Sequence, residues 1–199
     1  MNHLVTNSGK SLFWVVTLIL SGFFTGVNAQ PSSNGVTVSE NAIPDWVLND
    51  WEKRAGGSGT WMAENSSKSD RAPFDAYALH WEYGPGKTSL KGRLYAIKDG
   101  KDVRTLWEFL EYWHPAERKK LTVQYGNNPQ LGFLALGEAE KPETEGESIS
   151  RSRVFKSNGE IYWVGHRSKT SDGVTTSRSF NIIDGEWQER GTFVWKLQR

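Results

Sequence analysis

The stretch that decides the fold is SISRSRVFKSNGEIYWVGHRSKTSDGVTTSRSFNIIDGEWQERGTFVWKL, residues 148–197. It divides into four runs, Ser148–Lys156, Ile161–Ser168, Thr175–Ile183 and Trp187–Leu197, separated by Asn158-Gly159, Asp172-Gly173 and Asp184-Gly185. The runs draw on Val, Ile, Thr, Phe and Trp, residue types that suit a pleated, half-buried surface. Each separator is a pair that supplies the positive φ of a tight hairpin turn. Runs joined by turns this short pair as antiparallel neighbours, because a parallel pair needs a crossover of about a dozen residues or more.

The same rhythm extends upstream through Gly59–Asn65, Asp75–Tyr83, Ser89–Lys98, Val103–His114, Leu121–Tyr125 and Leu131–Glu138. Gly84-Pro85-Gly86, Asp99-Gly100 and Asn127-Asn128-Pro129 punctuate it as turns. Leu106, Phe109, Leu110 and Trp113 also fit one helical face, but the hairpin rhythm resumes at Pro115, so Val103–His114 reads as a strand. A meander of ten strands exposes two edges unless the sheet closes. The expected fold class is therefore all-β, an antiparallel up-and-down barrel of about ten strands, wide enough to hold a small ligand. A short helix, Asp45 to Arg54, precedes it. Pro44 opens that helix, Asp45 suits its positive end, and Trp46, Leu48 and Trp51 would pack on the barrel.

Residues 1–29 read as an export signal. Lys10 precedes an apolar run, Leu12 to Leu20, and Val27-Asn28-Ala29 has small residues where a signal peptidase reads. The run is shorter than the ~20 apolar residues of a membrane span. The expected organisation is a signal over 1–29, a flexible leader over 30–43 and one barrel domain over 44–199, exported to the periplasm or secreted, with no membrane anchor after cleavage. Removing Lys10 from 24 basic residues leaves 23 against 23 acidic ones. That balance argues against nucleic acid as a partner, which calls for a basic excess or stripe. The chain has no cysteine, so an exported form would rely on an ordinary core rather than disulfides. Oligomeric state is not legible.

Gly59-Thr60-Trp61 stands directly after the helix and opens the first strand. In that position it resembles the Gly-x-Trp of the calycin superfamily, which includes lipocalins and fatty-acid-binding proteins. The layout is similar to exported bacterial calycin-like barrels of uncharacterised families. The resemblance covers nearly all of the chain after residue 44. It implies a ligand-binding barrel, with Gly59 and Trp61 as structural motif and a basic residue, Lys196, Arg199 or Arg190, covering Trp61. Some members of the superfamily hold haem through one histidine, and some are isomerases or cyclases.

Alternate residues of a barrel strand face its interior. Taking the aromatic-rich parity as inward points Arg151 and Arg153, Trp163 and Arg167, Arg178, then Trp187 and Phe193, into the cavity. On the earlier strand it selects Arg104, Glu108 and Tyr112. Arginines in an aromatic-lined space would need a carboxylate or an anionic ligand group. The function expected from this set is binding of a small amphipathic or acidic organic molecule. The plainer alternative is that glutamates such as Glu108 neutralise some of these arginines while the rest face solvent, and a slip of one residue would turn the whole set outward. Trp81, Trp107 and Trp113 fall on the other parity; packing under the helix accounts for them better than an exposed patch. His80, His114 and His166 show no metal-ligand spacing. No metal or cofactor is expected, haem on His166 or His114 being the alternative. No nucleophile motif or phosphate-cradling loop occurs, so binding is favoured over catalysis, and an enzyme or a ligand-free interaction domain stay open.

Overall fold

Residues 42–70, 72–128 and 132–199 are described by the structure, a computed structural model. The expected export signal and all of the leader except Ala42 and Ile43 lie outside the described residues.

Helix α1, Asp45–Ala55, has Asp45 in its first turn and Lys53 and Arg54 in its last, each complementing the helix dipole. Ten strands follow: β1 Thr60–Glu64, β2 Ala76–Tyr83, β3 Ser89–Lys98, β4 Lys101–His114, β5 Lys119–Asn128, β6 Gly132–Ala139, β7 Glu147–Phe155, β8 Ile161–Ser171, β9 Val174–Ile183 and β10 Glu186–Leu197. Consecutive strands pair antiparallel, and β1 pairs β10 through Trp61–Leu197 and Met62–Lys196. The result is the closed ten-stranded up-and-down barrel expected from the turn spacing. The ambiguous segment is the 14-residue strand β4. At Asp99-Gly100, Asp172-Gly173 and Asp184-Gly185 both residues have positive φ, as a two-residue hairpin of matching twist requires. Asn127 and Asn128 belong to β5 rather than to a turn, and the β5–β6 register shifts beyond Tyr125.

The turns β2–β3, β4–β5, β6–β7 and β8–β9 lie at the same end of the barrel as α1, because α1 leads directly into the start of β1. Val47 and Trp51 of α1 are wholly buried there against Trp61, Ala63, Trp81, Leu90 and Trp195. Burying a large apolar side chain is worth roughly 1.5–3 kcal/mol, so α1 is held by its packed face more than by its 11-residue length. Gly59 makes the junction: its φ is +64°, and a Cβ there would collide with the carbonyl oxygen of Trp81. Its own carbonyl accepts the Trp81 N–H at 2.8 Å. The core is therefore concentrated at the helix end. Only a small cluster, Ala135, Val154 and Val164, packs on the far wall.

Candidate ligand-binding cavity

The two halves of the barrel send in side chains of different size. Strands β7 to β9 contribute Ser148, Ser150, Ser152, Ser168, Thr170, Thr175, Ser177 and Ser179. Facing them, β1 to β4 and β10 contribute Trp61, Leu79, Trp81, Leu94, Trp107, Phe109, Phe193 and Trp195. Hydroxymethyl groups on one side cannot reach across to fill the bore. A cavity of about 370 Å³ remains, within the ~300–1,000 Å³ of small-molecule sites. One wall is aromatic and apolar, and the other is mostly hydroxyls, giving way to Val154, Tyr162 and Val164 toward the end away from the helix.

Four charged side chains form the floor at the helix end. Arg54 Nη1 donates to Glu111 Oε1 at 3.0 Å, and its Nη2 donates to Asp50 at 2.7 Å and also to Glu111 Oε2. Lys120 Nζ donates to Asp50 at 2.6 Å and lies 3.5 Å from Glu111. Trp51 Nε1 donates to Glu111 at 3.4 Å. Two cations and two anions cancel, which is what a charge group removed from water requires. Burial alone would raise the Glu111 carboxyl, but Arg54 and Lys120 overcome it and hold the group at about 2. Asp50 is lowered by the same two cations against the same burial. Burial works against the charged form of Arg54, and Asp50 and Glu111 outweigh it, raising its pKa.

Arg54 also lies 4.4 Å over the Trp81 ring, and its carbonyl accepts the Trp61 Nε1–H at 2.9 Å. Arg54 thus stacks on Trp81 and meets Trp61 through its backbone carbonyl.

Midway along the cavity, β10 carries a bulge. Glu189 pairs Phe180 and Gly191 pairs Ser179, so Arg190 is an extra residue with no partner across the ladder. The bulge reverses the parity of β10 and gives Arg190 to the cavity lining. His166 lines the same cavity and is paired on either side with Ser150 and Ser179. Burial, then the charge of Arg190, lowers the His166 pKa, so its imidazole is neutral at pH 7. Among the described residues neither Arg190 nor His166 has an ion pair or hydrogen-bond partner.

Most of the residues selected from the sequence do not line the cavity. Arg151 is paired with Glu138 at 2.6 Å, Arg153 stacks over Phe155, and Trp163 is 42% exposed on the outer wall. Arg167 stacks over Trp187 and Phe180, while Trp187 covers Gly165 on the outside of the barrel. Arg178, Glu108 and Tyr112 occupy the outward parity, and Arg104 reaches Asn127 at 3.3 Å among exposed side chains. The inward faces of β7 to β9 carry mainly serine and threonine, with Val154, Tyr162, Val164 and His166 among them, so most of the aromatic parity is the outer one there. Phe193 does line the cavity, because the bulge separates its parity from that of Trp187. His114 sits at the β4–β5 turn, accepting the Glu117 N–H at 3.2 Å. Trp81 and Trp113 pack under α1, Trp113 edge-on to Trp46 at 5.9 Å, and Trp107 lines the cavity. Among the described residues no three metal-ligating side chains are gathered together.

The chain matches no known family model, no curated protein and no solved structure.

Proposed function

We propose that this protein is an exported, calycin-like binding barrel that takes up a small amphipathic organic molecule. The observation that carries the reading is the two-sided cavity, an aromatic wall facing a hydroxyl wall across about 370 Å³. Apolar area against Trp81, Trp107 and Phe193 supplies affinity, and the convergent hydroxyls orient the ligand. Export rests on the signal-like composition of residues 1–29. A second reading, a haem or other tetrapyrrole binder, draws support from His166 among the lining residues; His114, the other histidine considered, stands outside the cavity.

The experiment is native mass spectrometry of the protein purified from its own source, with an absorption spectrum of the same sample. A reproducible non-protein mass, released on denaturation, is the expected result. A visible Soret-type band with the corresponding mass would move the assignment to a tetrapyrrole. A clean apo mass, with no uptake from a panel of amphipathic compounds, would overturn the binding reading.

A further inference from the structure

We infer that the β10 bulge builds an anion-recognition site, in which Arg190, His166 and the adjacent Ser150 hold the carboxylate of a monoanionic ligand whose apolar body lies on the aromatic wall. The inference rests on the binding reading above and adds the class of ligand to it.

The charges lining the cavity are Asp50 and Glu111 against Arg54, Lys120 and Arg190. The first four are spent on one another at the floor. Arg190, an exposed side chain at the lining, has no carboxylate partner among the described residues, so a ligand with a single negative charge would match it. A guanidinium meets a carboxylate in two parallel hydrogen bonds, and a neutral imidazole has one N–H to add. The register supplies the rest of the cradle. Ser150 stands beside His166 across β7, while Ser179, beside it across β9, donates its hydroxyl to the Gly191 carbonyl at 3.3 Å and so braces the bulge next to Arg190. The bulge is what makes the site possible. With a regular ladder Arg190 would follow Glu189 in simple alternation, and one extra residue is needed for both Arg190 and Phe193 to reach the same interior.

Anion binding is coupled to a proton. Next to His166 stand Ser150 of β7, Ser179 of β9 and Arg190 of β10, while the nearest lining carboxylates, Asp50 and Glu111, are engaged by Arg54 and Lys120. Among the described residues, no free carboxylate therefore supports the imidazolium. A bound carboxylate supplies that charge and raises the His166 pKa, so binding takes up a proton and tightens as pH falls.

The test uses 2-naphthoate and its neutral counterpart 2-naphthylmethanol, titrated calorimetrically into the full-length protein after removal of its signal, at pH 7.5 and pH 6. Variants are Arg190→Gln, Arg190→Lys, His166→Gln and, on the outer wall, Arg178→Gln, each checked for an unchanged unfolding temperature. The expected result is at least tenfold tighter binding of the acid. Arg190→Gln abolishes that preference and leaves the alcohol unaffected; Arg190→Lys restores part of it, and Arg178→Gln changes nothing. His166→Gln removes the tightening between pH 7.5 and pH 6. Equal binding of acid and alcohol by the parent protein, or a preference that survives Arg190→Gln, overturns the anion site while leaving the cavity reading intact. Binding of neither compound counts against both.

Discussion

Replacing Glu111 with glutamine tests whether the floor of the barrel is a neutralised charge group. Glutamine keeps the shape and can still accept from Trp51, but it removes one of two negative charges. Arg54 and Lys120, only 18% and 5% exposed at their side chains, are then left with Asp50 alone. A carboxyl held at about 2 instead of 4.5 corresponds to ~3 kcal/mol at ~1.4 kcal/mol per decade. Removing one partner of a buried ion pair costs ~3–5 kcal/mol, which agrees. For a domain of this size about 3 kcal/mol lowers Tm by roughly 6–12 °C. The sign of the pH dependence is definite. Glu111 has a folded-state pKa below its unfolded value, so its contribution is complete above about 4.5 and is lost as pH falls through about 2. Urea unfolding followed by tryptophan fluorescence, at several pH values from 7 to 2.5, measures it. The E111Q protein should be about 3 kcal/mol less stable at pH 7 and should converge on the parent as pH drops. A difference under ~0.5 kcal/mol at pH 7, or parallel curves for the two proteins throughout the acid range, refutes the argument.

Two of the aromatic rings that cover glycines, Trp81 and Trp187, should respond unequally to crowding. A Cβ at Gly92 meets Trp81, which is 6% exposed and clamped beneath Arg54, so Gly92→Ala is expected to cost ~1–3 kcal/mol in chemical denaturation. Gly165→Ala meets Trp187, a ring on the outer wall that is less buried than Trp81, and should cost less; the reverse order would contradict the placement of the two rings. Trp61→Phe deletes the indole N–H that satisfies the Arg54 carbonyl at 2.9 Å and should lower stability by about 1–2 kcal/mol, read as a fall in thermal midpoint. Arg153→Ala and Arg178→Ala remove outer-wall cations and are expected to stay within ~0.5 kcal/mol of the parent, with ligand affinity unchanged by calorimetry.

The strands and their order were legible because hairpin turns advertise themselves locally. Asp99-Gly100, Asp172-Gly173 and Asp184-Gly185 need positive φ at both residues, and few other pairs tolerate that. Strand β4 was ambiguous because Leu106, Phe109, Leu110 and Trp113 satisfy a helical spacing as well. In the barrel Phe109 and Trp113 face the helix-end core while Leu106 and Leu110 do not. The facing of the strands was not legible. Periodicity of two separates the faces of a strand but does not say which is inside. The assumption that aromatics mark the interior fails on the strands whose cavity side is walled mainly by serines. On β10 no single parity exists, since the bulge at Arg190 puts Trp187 outside and Phe193 inside. A signal for the floor was present in part. Asp50 and Arg54 are four apart on α1, and Glu111 shares a parity with Trp107 and Phe109. That Lys120 stands beside them depends on the β4–β5 register, which pairs Trp113 with Lys120 and no local pattern reveals.

The barrel treats its interior charges in two different ways, and the contrast separates architecture from binding. At the floor each cation is matched by carboxylates from another element: Arg54 of α1 to Glu111 of β4, Lys120 of β5 to Asp50 of α1. The group ties the helix to the sheet and asks nothing of a ligand. At the bulge the cation comes from an irregularity in the ladder, and among the described residues no carboxylate pairs with it. Its neighbours are short hydroxyls and a neutral imidazole, which in the proposed site would orient a charged guest without cancelling it. A stability assay should therefore be sensitive to Glu111 and indifferent to Arg190, and a binding assay to acidic ligands should respond most strongly to Arg190. Should substitution of Arg190 instead destabilise the barrel as much as that of Glu111, the division between floor and bulge would not hold.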